Sequence, residues 1–143
     1  MAHDAIRELV ERVTYAPGYT KAVGTRVESA EPGYVVMSLA KTDDLLQANG
    51  FFHGGVIAGL ADHAAGGAVT TAMPPGRFAV TVNLQVSFLA PAKGTLLIAR
   101  ARALQVGGTI GVARVDMVSI ADGAETACAL AIVTLRGADF PAK

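Results

Sequence analysis

The spacing of apolar residues divides the chain into a helical part and an extended part, which meet near residue 78. Close to the start, apolar residues recur with the 3.6-residue period of a helix, at Ile6, Leu9, Val10 and Val13. This pattern predicts a short amphipathic helix that Pro17 and Gly18 close. We expect residues 1–18 to form a peripheral N-terminal helix of a single domain that spans residues 1–143.

A longer apolar stretch runs from Gly54 to Ala72 and has room for about five helical turns. Three turn-forming residues, Pro74-Pro75-Gly76, predict its end. Because this central helix is apolar on nearly all sides, it must be covered on nearly all sides. Gly55 and Gly59 lie one turn apart, and without side chains they would admit another backbone, from the sheet or from a second copy of the helix.

Extended segments surround the central helix in the sequence. Two short stretches between Val23 and Leu39 flank Glu31-Pro32-Gly33 and predict a hairpin. After residue 78 the period of the apolar positions becomes two, which predicts a half-buried strand with one face formed by Val82, Leu84, Val86 and Phe88.

Three further extended runs follow, at residues 95–106, 109–121 and 125–136. The pairs Gly107-Gly108 and Asp122-Gly123 between them are typical of tight hairpin turns, and residues 91–94 form the other joint. The pattern therefore predicts an α+β fold in which an antiparallel meander wraps around one long central helix.

Composition narrows the choice of partners. The 12 basic and 12 acidic side chains cancel, so no excess of positive charge points to nucleic acid or to a membrane surface. The longest apolar run contains Asp62 and His63, which argues against a membrane span. A single cysteine, Cys128, allows no intrachain disulfide, and we expect it to be an inert packed thiol in a cytoplasmic protein.

Asp62 is the one carboxylate in the apolar segment 47–69. Burying a charge is costly, so it must be paired, protonated or placed beside a cavity. It is either a structural carboxylate or a reactive one. The start of the central helix at Gly54 offers unpaired N–H groups to a developing oxyanion, but eight residues of helix separate the two by about 12 Å. Only two antiparallel copies of the helix would bring Gly54 of one chain to Asp62 of the other.

Three sequence features carry a family resemblance: His53-Gly54-Gly55, then Leu60-Ala61-Asp62, then the alternating strand with the turn at 88–94. With these features the chain resembles the hotdog-fold acyl-CoA thioesterases of the phenylacetate-degradation (PaaI-like) type, over residues 23–136. The resemblance implies a homodimer, often a dimer of dimers, that hydrolyses acyl-CoA at the dimer interface. It also implies that Asp62 is the nucleophile or general base and that the Gly54 N–H polarises the thioester carbonyl.

The resemblance suggests roles for four further residues. Members carry an amide side chain shortly before the histidine–glycine pair, which corresponds to Gln47 by spacing, with Asn49 as the alternative. A small hydroxyl residue of the family corresponds to Thr81, which would reach the site from the chain that supplies Asp62. His53 either supports the loop or touches the substrate.

We expect coenzyme A to be part of the substrate, and we expect no cofactor or metal. Four basic residues could bind its phosphates or could simply be solvated: Lys93, Arg77, Arg100 and Arg102. The acyl group is not defined, and small or medium, aromatic and aliphatic groups all fit. A noncatalytic acyl-CoA-binding or ligand-sensing dimer is the main alternative. A hydratase, which needs a different acid–base pair, and a purely structural assembly protein are weaker ones.

Overall fold

The computed structural model describes residues 3–141, and the chain forms three α-helices, one 3₁₀ turn and six β-strands. The helices are α1 (His3–Thr14), α2 (Tyr19–Ala22) and α3 (Gly54–Ala72), and the 3₁₀ turn covers Asp43–Leu45. The strands are β1 (Arg26–Glu31), β2 (Tyr34–Ala40), β3 (Arg77–Phe88), β4 (Leu96–Val106), β5 (Ile110–Ala121) and β6 (Ala124–Asp139).

The central helix α3 has the predicted bounds. His53 is its N-cap, because the ring Nδ1 accepts a hydrogen bond from the Gly55 N–H at 2.9 Å. The helix packs on the sheet through a row of small buried residues, Ala61, Ala64, Ala65 and Ala68. These short side chains let the helix lie close to the strands that curve around it.

All six strands form one antiparallel sheet in the order β1-β2-β4-β5-β6-β3. The α+β hotdog architecture is therefore confirmed, but the predicted simple meander is wrong for β3, which pairs with β6 instead of β4. Only β4, β5 and β6 follow one another as a meander.

The segment 89–95 explains why β3 and β4 are not neighbours. It crosses the ends of β6 and β5, because Leu89 N–H donates to Cys128 O at 2.9 Å and Thr95 N–H donates to Ile120 O at 3.0 Å. Gly94 passes so close to Ile120 that a Cβ there would collide with the Ile120 carbonyl, and its φ is +97°. This joint is a crossover and not a tight turn.

A bulge in β3 disturbs the predicted alternation. Thr81 pairs with Leu135 and Asn83 pairs with Thr134, which leaves Val82 as the extra residue. Val82 is 57% exposed and Phe88 is 56% exposed. The expected common apolar face is therefore interrupted: the other two predicted members of that face, Leu84 and Val86, are partly buried.

The two edges of the sheet differ in how they are covered. At the β1 edge, Arg7 donates from its guanidinium to the carbonyls of Val27 and Glu28, both at 3.0 Å, and the Val27 N–H donates to the Tyr15 hydroxyl at 3.0 Å. At the β3 edge, the Ala79 N–H donates to the Thr70 hydroxyl at 3.0 Å, and the Arg77 N–H, in the first residue of the strand, donates to the Pro74 carbonyl at 3.3 Å. Among residues 3–141, no strand pairs with the outer side of β3.

The glycines of α3 do not have the predicted neighbours within this chain. A Cβ at Gly59 would lie 2.7 Å from the Tyr19 hydroxyl, and one at Gly55 would lie 3.1 Å from the ring of His53. Within this chain, Gly59 thus accommodates an aromatic side chain and not the backbone of a strand, while approach by a second copy of the helix stays a prediction. None of the described helices has the length and apolar character needed to span a membrane.

Candidate active site

Asp62 lies half-buried on α3, at the wall of a cavity of about 600 Å³. Its Oδ1 accepts a hydrogen bond from the Thr81 hydroxyl at 2.7 Å. No ion pair formed by residues 3–141 includes Asp62, and no other acidic residue lines the cavity. The carboxylate is therefore held in place by a neutral donor and is not neutralised by a cation.

Thr81 reaches Asp62 because β3 runs alongside α3 in the same chain. It is the last paired residue before the Val82 bulge, a position at which a strand bends locally. The structure thus brings together two of the predicted site residues, Asp62 and Thr81.

His63, the next residue, reaches towards α1. Its Nε2 lies 2.9 Å from the hydroxyl of Thr14, the last residue of α1, and Thr14 is fully buried. Burial lowers the pKa of His63 below its ordinary value, and the nearby Asp62 charge opposes this shift. The sequence analysis missed Thr14, although it extends the apolar period of Ile6 and Val10 by one turn.

The cavity beside Asp62 lies between α1, α3 and the start of β3. Its lining is mostly apolar and comes from Leu9, Val10 and Val13 of α1, Met37 of β2, Phe78, Ala79 and Val80 of β3, and Phe140. Helix α1, which the sequence predicts to be peripheral, therefore forms one wall of the space next to the candidate carboxylate.

The start of α3 presents one unpaired backbone donor. The Gly55 N–H is bonded to the His53 ring, and the N–H groups of Val56 and Ile57 donate to the His53 carbonyl at 3.0 and 3.1 Å. Within the described part of the chain, the Gly54 N–H has no acceptor. The Phe88 ring packs over Gly54, and a Cβ there would lie 3.2 Å from it, so a larger residue would displace the ring.

The loop before α3 carries both candidate amides. Its backbone is fixed by bonds from Gln47 N–H to Phe51 O at 2.8 Å and from Gly50 N–H to Gln47 O at 2.9 Å. Gln47 is half-buried and Asn49 is exposed. Neither lines the cavity beside Asp62, nor do His53 and Gly54. Within one chain, the candidate residues therefore fall into two separate groups, at the start and at the middle of α3.

The four candidate phosphate-binding cations do not form one cluster. Lys93 lies over the Phe51 ring at 5.7 Å, next to the loop before α3. Arg77 lies 3.6 Å from Asp139, where β3 begins. Arg102, on β4, stacks over Tyr34 at 4.5 Å. Of the four, Lys93 is the one near the start of α3.

Arg100, also on β4, is bound by both oxygens of Glu125, at 3.0 and 2.5 Å. This hydrogen-bonded pair raises the pKa of Arg100 and lowers the pKa of Glu125. Glu125 thus already satisfies the charge of Arg100.

Metal and thiol chemistry find no support in the described residues. No group of three or more histidine, cysteine, aspartate or glutamate side chains in residues 3–141 could hold a metal ion. Cys128 is buried and donates from its Sγ to Met117 O at 3.4 Å, and burial raises the pKa of its thiol. A thiol with a raised pKa is a poor nucleophile.

Comparison with known proteins shows which family this chain belongs to. The sequence model of the thioesterase superfamily matches residues 49–126, which include Gly54, Asp62 and Thr81. The chain belongs to the thioesterase superfamily. A provisionally assigned esterase of Halobacterium salinarum is 35% identical to this thioesterase over 85% of the chain and 83% of its own length. Human acyl-coenzyme A thioesterase 13 is 29% identical over 83% of this chain and 86% of its own length.

Solved structures agree on the fold. A thioesterase family protein from Silicibacter pomeroyi superposes with a TM-score of 0.88 at 30% identity, covering 94% of this thioesterase and 99% of that chain. The PaaI protein of the phenylacetic acid degradation operon of E. coli superposes with a TM-score of 0.79 at 23% identity, covering 94% of this thioesterase and 95% of that chain. The predicted resemblance to PaaI-like hotdog thioesterases is thus confirmed.

Proposed function

We propose that this thioesterase hydrolyses acyl-CoA thioesters to a free acid and coenzyme A, at a site that two protomers share. The observation that carries the proposal is the Asp62 carboxylate, which has no cationic partner among residues 3–141 and lies at an apolar cavity with one neutral hydrogen bond. Relatives named for acyl-CoA hydrolysis are consistent with this substrate class.

A second protomer would be needed because Gly54 and Asp62, which each mark one half of the proposed site, lie apart on one helix. The eight-residue spacing of Gly54 and Asp62 corresponds to about 12 Å along α3. Pairing of two copies through the outer edge of β3 would run the two α3 helices antiparallel about a two-fold axis. The Gly54 N–H of one protomer could then face Asp62 of its partner, in two equivalent sites.

Exposed apolar side chains on and just after β3 support this choice of edge. Val80, Val82, Phe88 and Leu89 are 43%, 57%, 56% and 60% exposed. A long unpaired strand with apolar residues favours association with another strand. A further pairing of two dimers stays a prediction, as does the cytoplasmic location.

The chemistry needs a nucleophile and a stabilised oxyanion. In one route an Asp62 oxygen attacks the thioester carbonyl carbon, the C–S bond breaks to release the CoA thiolate, and water hydrolyses the mixed anhydride. In the other, Asp62 takes a proton from water as the water attacks the same carbon, and the C–S bond of the resulting tetrahedral intermediate then breaks to release the CoA thiolate, which takes up the proton. In both, the carbonyl oxygen becomes negative, and the Gly54 N–H at the positive end of α3 would stabilise it.

Supporting roles follow from where the residues lie. Thr81 would hold the Asp62 carboxylate in one orientation through its 2.7 Å bond. His53 would fix the helix start by binding the Gly55 N–H, which leaves Gly54 as the donor for substrate. Gln47 is favoured over Asn49 as the site amide because it is half-buried beside this start. Lys93 is the cation best placed for a CoA phosphate.

The test measures release of free thiol from a panel of acyl-CoAs by the wild type and by Asp62→Asn. General base or nucleophilic groups contribute about 10²–10⁴-fold, so the variant should lose at least about 100-fold in kcat. Asp116→Asn is the matched control, since Asp116 is an exposed acid on β5 that pairs with Arg114 at 3.2 Å. It should keep full activity.

Two outcomes would contradict the proposal. Full turnover by Asp62→Asn, with folding and mass unchanged, would remove Asp62 from the chemistry. Binding of acyl-CoA without any thiol release by the wild type would instead indicate the noncatalytic binding dimer.

A further inference from the structure

We infer that the cavity between α1 and α3 holds the acyl group of the substrate, and that α1 and Phe140 limit this group to an apolar chain of medium length. The inference rests on the proposed function for the position of the thioester carbon at Asp62. It adds the identity of the acyl group and the elements that select it.

The polar side chains that line the cavity already form hydrogen bonds within the chain. Thr14 is bonded to His63, Thr70 accepts from the Ala79 N–H, and Thr81 donates to Asp62. The remaining lining side chains are aliphatic or aromatic. A polar or charged acyl group would lose its water here without gaining an equivalent partner, whereas an apolar group would gain burial.

The size of the cavity fits a chain longer than acetyl. Its volume of about 600 Å³ lies inside the range of about 300–1,000 Å³ that is common for small-molecule pockets. Asp62 lines this space together with Thr81 of β3. The acyl chain of a thioester attacked at Asp62 would therefore lie next to an apolar space.

An aromatic pair lies at the other end. Phe78 and Phe140 are in contact with ring centroids 4.9 Å apart, and both line the cavity. Phe78 precedes Thr81 by three residues on β3, which corresponds to about 10 Å of strand. With carbon–carbon bonds of about 1.5 Å in a zigzag chain, about eight carbons span this length.

Helix α1 is a fixed wall. Ile6 and Val10 are 2% and 5% exposed and anchor the helix in the core, and Thr14 ties its last turn to His63. Val13 lines the cavity from this helix although its side chain is 47% exposed. A larger side chain at residue 13 should therefore narrow the acyl space without disturbing buried packing.

The experiment measures binding of saturated acyl-CoAs, from acetyl to dodecanoyl, by titration calorimetry. It uses the Asp62→Asn protein, in which binding can be read without turnover. Each methylene that enters the cavity should tighten binding about fourfold, the factor that about 0.8 kcal/mol per buried methylene corresponds to. The gain in affinity should stop at a chain-length limit near octanoyl.

Two variants should move this limit in opposite directions. Val13→Phe narrows the cavity and should shift the limit to shorter chains, whereas Phe140→Ala opens the aromatic end and should shift it to longer ones. Arg12→Phe is the matched control, because it adds the same ring at the neighbouring, exposed position of α1, which does not line this cavity. It should leave the limit unchanged.

Hydrolysis of the same panel by proteins that retain Asp62 separates the two claims. If thiol is released but neither variant moves the chain-length limit, the inference about the acyl cavity is wrong and the proposed function stands. If no thiol is released but the binding limit exists and moves as stated, the cavity stands and the hydrolytic function fails. Should Val13→Phe not fold, as judged by circular dichroism, Phe140→Ala alone decides.

Discussion

Among residues 3–141, one side chain is hydrogen-bonded to Asp62 and orients it, the Thr81 hydroxyl at 2.7 Å. Hydrogen bonds to charged groups contribute about 1.5–3 kcal/mol, so Thr81→Val should lower kcat by about tenfold or more while the KM changes little. Thr81→Ser keeps the hydroxyl and should retain most of the activity. Steady-state kinetics on one acyl-CoA checks both. Equal activity of the valine and serine variants would contradict a positioning role.

His63 gives the protein a pH-dependent stability. Its pKa in the folded state is lowered, chiefly by burial, while in the unfolded chain it is about 6.5. Between these two values the unfolded state binds more protons, so stability is complete above about pH 6.5 and falls as the pH drops below it. Urea titrations at a series of pH values should show this decline, and His63→Gln should flatten it.

Residue types and their spacing were enough to single out Asp62 and Gly54 before any fold was known, and the family resemblance added Thr81. The Thr14–His63 contact could not be predicted in the same way. It joins residues 49 positions apart, and it depends on where α1 docks. A local pattern predicts that a helix forms but not which neighbour its last turn meets.

Among the elements, α3 carries two glycines whose replacement by alanine should change the free energy of unfolding differently. A Cβ at Gly66 would meet only a Leu135 methyl at 3.9 Å, an ordinary contact. Gly66→Ala should therefore raise the free energy of unfolding by about 0.5–1 kcal/mol through helix propensity.

Gly59→Ala provides the comparison. Its new Cβ would collide with Tyr19 at 2.7 Å, and that side chain would have to leave its place over α3. This variant should gain less than Gly66→Ala or lose stability. Chemical denaturation of both variants measures the difference, and an equal gain at both positions would show that Tyr19 does not constrain the helix.

The strands were predictable as elements because alternation and the turn pairs at 107–108 and 122–123 are local signals. The Asp122-Gly123 turn indeed has positive φ at both residues, 51° and 78°. The place of β3 at the far edge was not predictable from alternation. It is set by the crossover 89–95, whose bonds to the ends of β6 and β5 form only in the folded sheet.

On the scale of the whole molecule, the proposed dimer depends on the outer edge of β3. Val82→Asp places a charge at an exposed apolar position of this edge, so it should convert a dimer to a monomer and abolish thioesterase activity together with it. Light scattering after size exclusion gives the mass. Leu104→Asp is the control, since Leu104 is similarly exposed at 54% but lies on β4 inside the sheet.

The mass in solution and the thioesterase activity should change together. A monomeric Val82→Asp protein that keeps full activity would show that one chain contains a complete site. A dimeric variant without activity would show that the substitution acts on the site directly.

Arg7 and Tyr15 have a consequence for assembly that extends beyond one subunit. They occupy peptide groups of Val27 and Glu28, near the start of β1, that a further strand would need, so we expect the sheet to grow at the β3 edge and not at the β1 edge. Two molecules that join through β3 present a blocked strand at either end of the combined sheet. Edge-to-edge association of this kind would stop at two chains, because the contacts on β1 oppose the addition of a third molecule and so oppose an open-ended fibre.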